Sequence, residues 1–189
     1  EPAVIACMHM NPCGVGIGAN INEAWDKAYA ADDKSIFGGI IATNQKVNKY
    51  VAEKMSQIFL ELVIAPAFDQ DAFDILAAKK NIRLMTCEMN TIPTAKKFVS
   101  VNGGILIQDA DNELYADLQC VTEKKPTDEE LNDLIFGYKV VKHVKSNAIV
   151  LVKDGMTVGV GAGQSNRSGA AEIAMKWAKS NGRAKGSVL

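Results

Sequence analysis

Ala3-Val4-Ile5-Ala6-Cys7-Met8-His9-Met10-Asn11-Pro12-Cys13-Gly14-Val15-Gly16-Ile17-Gly18 is the stretch on which the fold turns. Ala3 to Cys7 is an apolar run and reads as a buried strand. Asn11 to Gly18, rich in glycine, reads as a loop. Ile21 to Ala31 reads as a helix, with Trp25 and Tyr29 four apart on one face. Outward from there, Ile36 to Ala42 reads as a strand with a close backbone approach at Gly38 and Gly39. Val47, Val51, Met55 and Ile58 mark an amphipathic helix. Leu60 to Ala65 is a strand stopped by Pro66. Asp69 to Lys80 is a helix with Phe73, Leu76 and Ala77 inward, and Ile82 to Cys87 is a further strand. Strands alternating with helices predict an α/β fold.

From Glu88 to Asp117 the pattern is less periodic, with Gly103 to Gln108 as its clearest strand. Thr122-Glu123-Lys124-Lys125-Pro126 reads as a linker. Thr127 and Glu130 form a capping-box pattern that starts a helix with Leu131, Leu134, Ile135 and Tyr138 on one face. Ala148 to Val152 and Thr157 to Val160 are short strands either side of Asp154-Gly155, a hairpin signal. Gly159-Val160-Gly161-Ala162-Gly163-Gln164 then leads into a last helix with Ala170, Ile173, Ala174 and Trp177 inward. His9, a Gly-x-Gly-x-Gly run and a helix with an inward Trp25 are thus echoed by His143, a second such run and Trp177. A duplicated half-domain explains the echo, and so does chance.

The chain has 189 residues, 48% hydrophobic and 23% charged. That is enough for a core without disulfide or metal staples. Lys and Arg number 21 against 22 Asp and Glu, a net charge of −1. A polybasic nucleic-acid binder is therefore excluded as the default, and so is a cationic membrane-surface helix. No apolar run approaches the ~20 residues needed to cross a bilayer. Cys7, Cys13, Cys87 and Cys120 form no Cys-x-x-Cys pair and read, with the methionines, as reduced core residues of a cytoplasmic protein. Both ends are apolar and read as cut.

Each motif has a plain reading beside the functional one. Neither glycine run has the Gly-x-Gly-x-x-Gly spacing of a dinucleotide site; spacing favours tight loops that let backbone approach backbone, and exposed amides in such loops also suit an anion or a carbonyl oxygen. His9-Met10-Asn11-Pro12-Cys13 shares Pro-Cys with the zinc deaminases. Those need Glu two residues after the histidine and a second cysteine three after the first; here Asn11 and Gly16 stand there. His9 at a strand end is a candidate acid or base, or a packed side chain. Lys142-His143-Val144-Lys145 fits a cationic helix C-terminus. Asn147, between that end and an apolar strand, is suited to reading an amide. Arg167 is a candidate carboxylate or phosphate ligand, or a solvated cation.

Taken together, Met8 to Gly14, Ser35 to Ile40, Ile64-Ala65-Pro66, Lys142 to Asn147 and Gly159 to Gln164 resemble, in order and along nearly the whole chain, the AICAR transformylase module. That module belongs to the bifunctional purine-biosynthesis family that also carries IMP cyclohydrolase. The resemblance implies two cytidine-deaminase-like three-layer α/β/α halves, with residues 1–121 as the first and 122–189 as the truncated start of the second. It implies transfer of the formyl group of 10-formyltetrahydrofolate, the co-substrate, to the 5-amino group of AICAR, without a catalytic metal, in a cytoplasmic homodimer. His9 matches the family's catalytic histidine and Asn147 its catalytic asparagine. Gly38 and Glu61 match AICAR-contacting positions; Phe37, Asn166, Arg167 and Ser168 lie where the family meets folate.

Three departures bear on activity. The family's lysine before the catalytic histidine is Met8 here, a more apolar residue usually stands at Ser168, and further substrate-binding segments lie before residue 1 and after residue 189. The resemblance therefore implies weak or absent turnover for this chain. The competing reading is a non-catalytic module that binds a purine nucleotide or folate.

Overall fold

The structure is a computed structural model and describes residues 1–88 and 96–189. Strand β1 (Ala3–Met8) turns at His9-Met10 into β2 (Asn11–Ile17), which leads to helix α1 (Ile21–Ala31). There follow β3 (Gly39–Thr43), α2 (Lys49–Ser56), β4 (Leu60–Ala65), α3 (Gln70–Ala77) and β5 (Arg83–Thr86). The hairpin β6 (Lys97–Val101) and β7 (Gly104–Gln108) comes next, then α4 (Asp128–Val141), β8 (Ile149–Lys153), β9 (Met156–Gly161) and α5 (Arg167–Ser180). Among the described residues, seven strands form one sheet in the order β5-β4-β3-β1-β2-β9-β8. That sheet takes strands from both sides of the 121/122 division. No described helix is long and apolar enough to cross a membrane.

The largest difference from the sequence reading is the first glycine run, which is not a loop. Gly14 and Gly16 lie inside β2 and face α1. A Cβ on Gly16 would lie 2.6 Å from the Ala24 carbonyl oxygen, and one on Gly14 would press on that of Ala28. Gly159 and Gly161 do the same in β9, against the carbonyls of Ala174 and Ala170 in α5. Two glycines at period two thus meet two alanines at period four, twice. The echo in the sequence is real at the glycines and fails at the tryptophans: Trp25 is 2% exposed, Trp177 37%.

Alternation then places the layers. Val15, between the two glycines of β2, packs with Phe136 and Val140 of α4 and with Val150 and Val152 of β8. Leu151, between those two, packs with Val158, Ala174 and Ala178. α4 therefore lies on one face of the sheet and α1 and α5 on the other, an α/β/α layering. Val4, Ala6, Ile41 and Val63 meet α1, α2 and α3 in the largest core cluster.

The capping box of Thr127 and Glu130 forms as read. Other inward faces differ. In α3, Ala72 and Leu76 are buried while Phe73 and Ala77 are exposed. In α4, Phe136 and Val140 are buried, and Leu131, Leu134, Ile135 and Tyr138 instead line an open groove with β8. β3 starts only at Gly39, and β6 was hidden because its pattern is apolar on both faces. Cys87, Cys120, Met10 and Met85 are exposed rather than core.

Crowding against backbone that cannot rotate away sets a test. Gly161→Ala is expected to destabilise by roughly 1–3 kcal/mol, the ordinary cost of overpacking. Gly104→Ala, with nothing within 4 Å of the added methyl, is expected to stay within about 0.5 kcal/mol of the parent. Urea denaturation of the two variants measures the difference.

Candidate functional site

Strand direction gathers the predicted residues at one end of the sheet. β1 and β9 finish there, while β2, β3, β4 and β8 start there. α5 also starts at that end. His9 and Met10 form the two-residue turn of the β1–β2 hairpin, closed by the pair Met8↔Asn11. His9 has φ 56°, a left-handed backbone that is uncommon outside glycine but that histidine adopts more readily than most residues. Its imidazole is carried at the exposed tip.

Beside it, Gly38 and Gly39 bring β3 close to the end of β1. A Cβ on Gly39 would lie 2.8 Å from the Cys7 carbonyl oxygen. Gly38 takes φ 73°, and its N–H donates to the Phe59 carbonyl at 2.8 Å. The exposed Phe37 ring packs on Phe59, centroids 5.7 Å apart. Glu61 follows in β4 and is exposed.

On the other side of His9 the second half of the chain closes in. The Asn11 Oδ1 accepts the Lys145 N–H at 3.0 Å. The Lys145 carbonyl accepts the Gly163 N–H at 2.7 Å. Asn147 and Gln164 exchange backbone hydrogen bonds at 3.2 and 3.3 Å, and Asn147 Nδ2 donates to the Gln164 carbonyl at 3.0 Å. The Ser146–Asn147 peptide is cis. Three segments far apart in sequence are therefore bonded together: the His9 turn, the Asn147 loop and the Gly-Ala-Gly-Gln segment. Farther along, Asn166 caps α5, its Oδ1 accepting the Gly169 N–H at 2.7 Å and the Ser168 hydroxyl at 2.8 Å. Arg167 is exposed in the first turn.

The set is a row rather than a point. Five strand spacings separate β4 from β8, roughly 24 Å. Glu61 and Phe37 stand toward one end of the row, His9 near the middle, Asn147 and Arg167 toward the other. His143 lies on the α4 face of the sheet, in a groove that it shares with Met10 and Pro12 of the His9 hairpin and with Ile5, Val15 and Phe136.

A cleft of about 200 Å³ opens at this end between β2 and β9. Met8, Asn11, Cys13, Asp32, Ser35, Val158 and Trp177 contribute to its wall. Asp32 Oδ1 accepts the N–H groups of Lys34 and Ser35, at 3.1 and 2.8 Å. The Cys13 thiol donates to the Ala6 carbonyl at 3.3 Å. Burial, then the Asp32 carboxylate, pushes its pKa up to about 12. Burial likewise raises Cys7. Cys120 runs the other way, lowered chiefly by its hydrogen bond with the Thr122 hydroxyl. Among the described residues, no three of His, Cys, Asp or Glu converge as a metal-ligand set.

Sequence reasoning had not assigned Asn11, Asp32 or Phe59 to the site. Asn11 stands where a zinc deaminase has its glutamate, which speaks only against zinc chemistry. Its backbone-bridging role depends on Lys145, 134 positions away.

A layered α/β chain with its polar motifs gathered at one sheet end is the class that fold and site define. The family model of the AICARFT/IMPCHase bienzyme matches residues 1–177. The bifunctional purine biosynthesis protein PurH of Anoxybacillus flavithermus is 57% identical over 192 residues, covering 100% of this chain and 37% of that protein. That of Bacillus subtilis is 54% identical over 192 residues, with the same coverage. The chain thus spans little over a third of the length of these relatives. Among solved structures, the apo dCMP deaminase of cyanophage S-TIM5 aligns with a TM-score of 0.38 and 11% identity, over 46% of this chain and 79% of that one. The chain belongs to the AICARFT/IMPCHase bienzyme family.

The thiols report on the cleft directly. At pH 8, with a maleimide, Cys120 is expected to label first and Cys13 last, because Cys13 stays a half-buried neutral thiol. Peptide mass spectrometry over a time course reads the order.

Proposed function

We propose that this chain supplies the base-bearing and amide-orienting part of a site for AICAR formylation, with 10-formyltetrahydrofolate as donor. The observation that carries the reading is the bonding of the His9 turn to the Asn147 loop through Asn11 and Lys145. The 5-amino group of AICAR is a poor nucleophile, because its lone pair is delocalised into the ring and the carboxamide. Its reaction calls for a base at the amine and for an amide-reading group at the neighbouring carboxamide. His9 is the base in this reading, and Asn147 orients the carboxamide. Gly38 and Glu61 contact AICAR. Phe37, at the Glu61 end of the row, and Asn166, Arg167 and Ser168, at the other end, are the folate-contacting residues in this reading. The working protein is a cytoplasmic homodimer that also carries an IMP cyclohydrolase domain.

Met8 favours a second reading. It lines the cleft beside Asp32 with an uncharged thioether, so neither a proton nor a positive charge is offered there. A non-catalytic nucleotide- or folate-binding module would keep the rest of the site and lose the chemistry. The 189-residue chain by itself is expected to turn over weakly or not at all.

The two readings part in a chimera in which this chain replaces its counterpart in a full-length relative. The formylation reading expects measurable turnover, a fall of at least roughly 100-fold in kcat for His9→Ala, and a gain in kcat larger than the fall in KM for Met8→Lys. AICAR binding by calorimetry with no formyl transfer, before and after Met8→Lys, establishes the binding module instead.

A further inference from the structure

We propose that Asn11 is a positioning residue that sets His9 and Asn147 in register. Its kinetic consequence rests on the formylation reading; the coupling itself rests on geometry.

The two groups belong to different parts of the chain, and at the site end no ladder pair among the described residues joins β2 to β9. β2 and β9 share a single ladder pair, Gly16↔Met156, five residues from Asn11 and away from the site end. The next tie along that seam is Val15 N–H to the Thr157 hydroxyl, 3.0 Å. Beyond it the strands part and the cleft opens. At the site end the backbone ladder is replaced by one side chain. Asn11 is held by its pairing with Met8 across the His9 turn, so its carboxamide moves with that turn. Its Oδ1 takes the Lys145 N–H, and Lys145 in turn holds Gly163, next to the Gln164 that pairs with Asn147. Rotation of the His9 hairpin relative to the Asn147 loop stretches this bond.

An aliphatic side chain at position 11 removes the acceptor and releases the Lys145 N–H to water or to nothing. Aspartate keeps an acceptor oxygen at the same reach. Glutamine keeps the carboxamide and lengthens the reach by one methylene. A displacement near 1 Å between reacting groups costs on the order of 100-fold in rate, with little effect on binding.

Two measurements test the coupling. Hydrogen–deuterium exchange on the full chain is expected to quicken in peptides spanning residues 143–147 and 161–165 for Asn11→Ala, and to stay at the parent rate for Asn11→Asp. In the chimera, kcat for formyl transfer is expected to fall roughly 30- to 100-fold for Asn11→Ala with KM within about threefold, and Asn11→Asp is expected to recover most of that loss. If Asn11→Ala does not fold, Asn11→Gln must show the same faster exchange and a fall in kcat. Unchanged exchange in the alanine variant overturns the proposal, and so does an aspartate variant as impaired as alanine in both measurements. Faster exchange for alanine, rescued by aspartate, in a parent that transfers no formyl group supports the coupling and removes the formylation reading instead.

Discussion

The structure depends on contact between helix backbone and strand backbone. In β2 and again in β9, paired glycines let a helix settle until its alanine carbonyls occupy the space a Cβ would need. Such an approach sets the height of α1 over β2 and of α5 over β9. The strand residues between the glycines then point to the other face, where Val15 meets α4. One local rule thereby fixes both outer layers.

The same rule explains what the sequence made legible. Helix α1, β1, β4, the Asp154-Gly155 hairpin and the Thr127 capping box all follow from local chemistry, and all are present. Asp154 and Gly155 both take left-handed φ, 55° and 69°, as a tight hairpin turn requires. The glycine runs misled because glycine has two uses, to bend a chain and to thin it, and only the facing helix decides between them. The faces of α3 and α4 were misassigned for a related reason. Periodicity marks an apolar stripe without saying which part of it a neighbour will cover, and in α4 the residues that meet the core are Phe136 and Val140.

Of the candidate site, sequence order named His9, Gly38, Glu61, Asn147 and the start of α5, and the fold gathers them at one end of the sheet. Their arrangement was not legible. It depends on strand direction, which puts the ends of β1 and β9 beside the starts of β2, β3, β4 and β8. It also depends on a bond across 134 positions. The cleft chemistry was likewise hidden, since the raised pKa of Cys13 comes first from its burial.

The short ladder between β2 and β9 has a kinetic side. Gly16 and Met156 are 140 positions apart, so pairing them closes a long loop and must be compensated by few contacts. Each glycine-packed strand and its helix, by contrast, are neighbours in sequence and assemble at small entropic cost. The Asn11–Lys145 bond, across 134 positions, likewise carries a larger loop-closure cost than those local contacts.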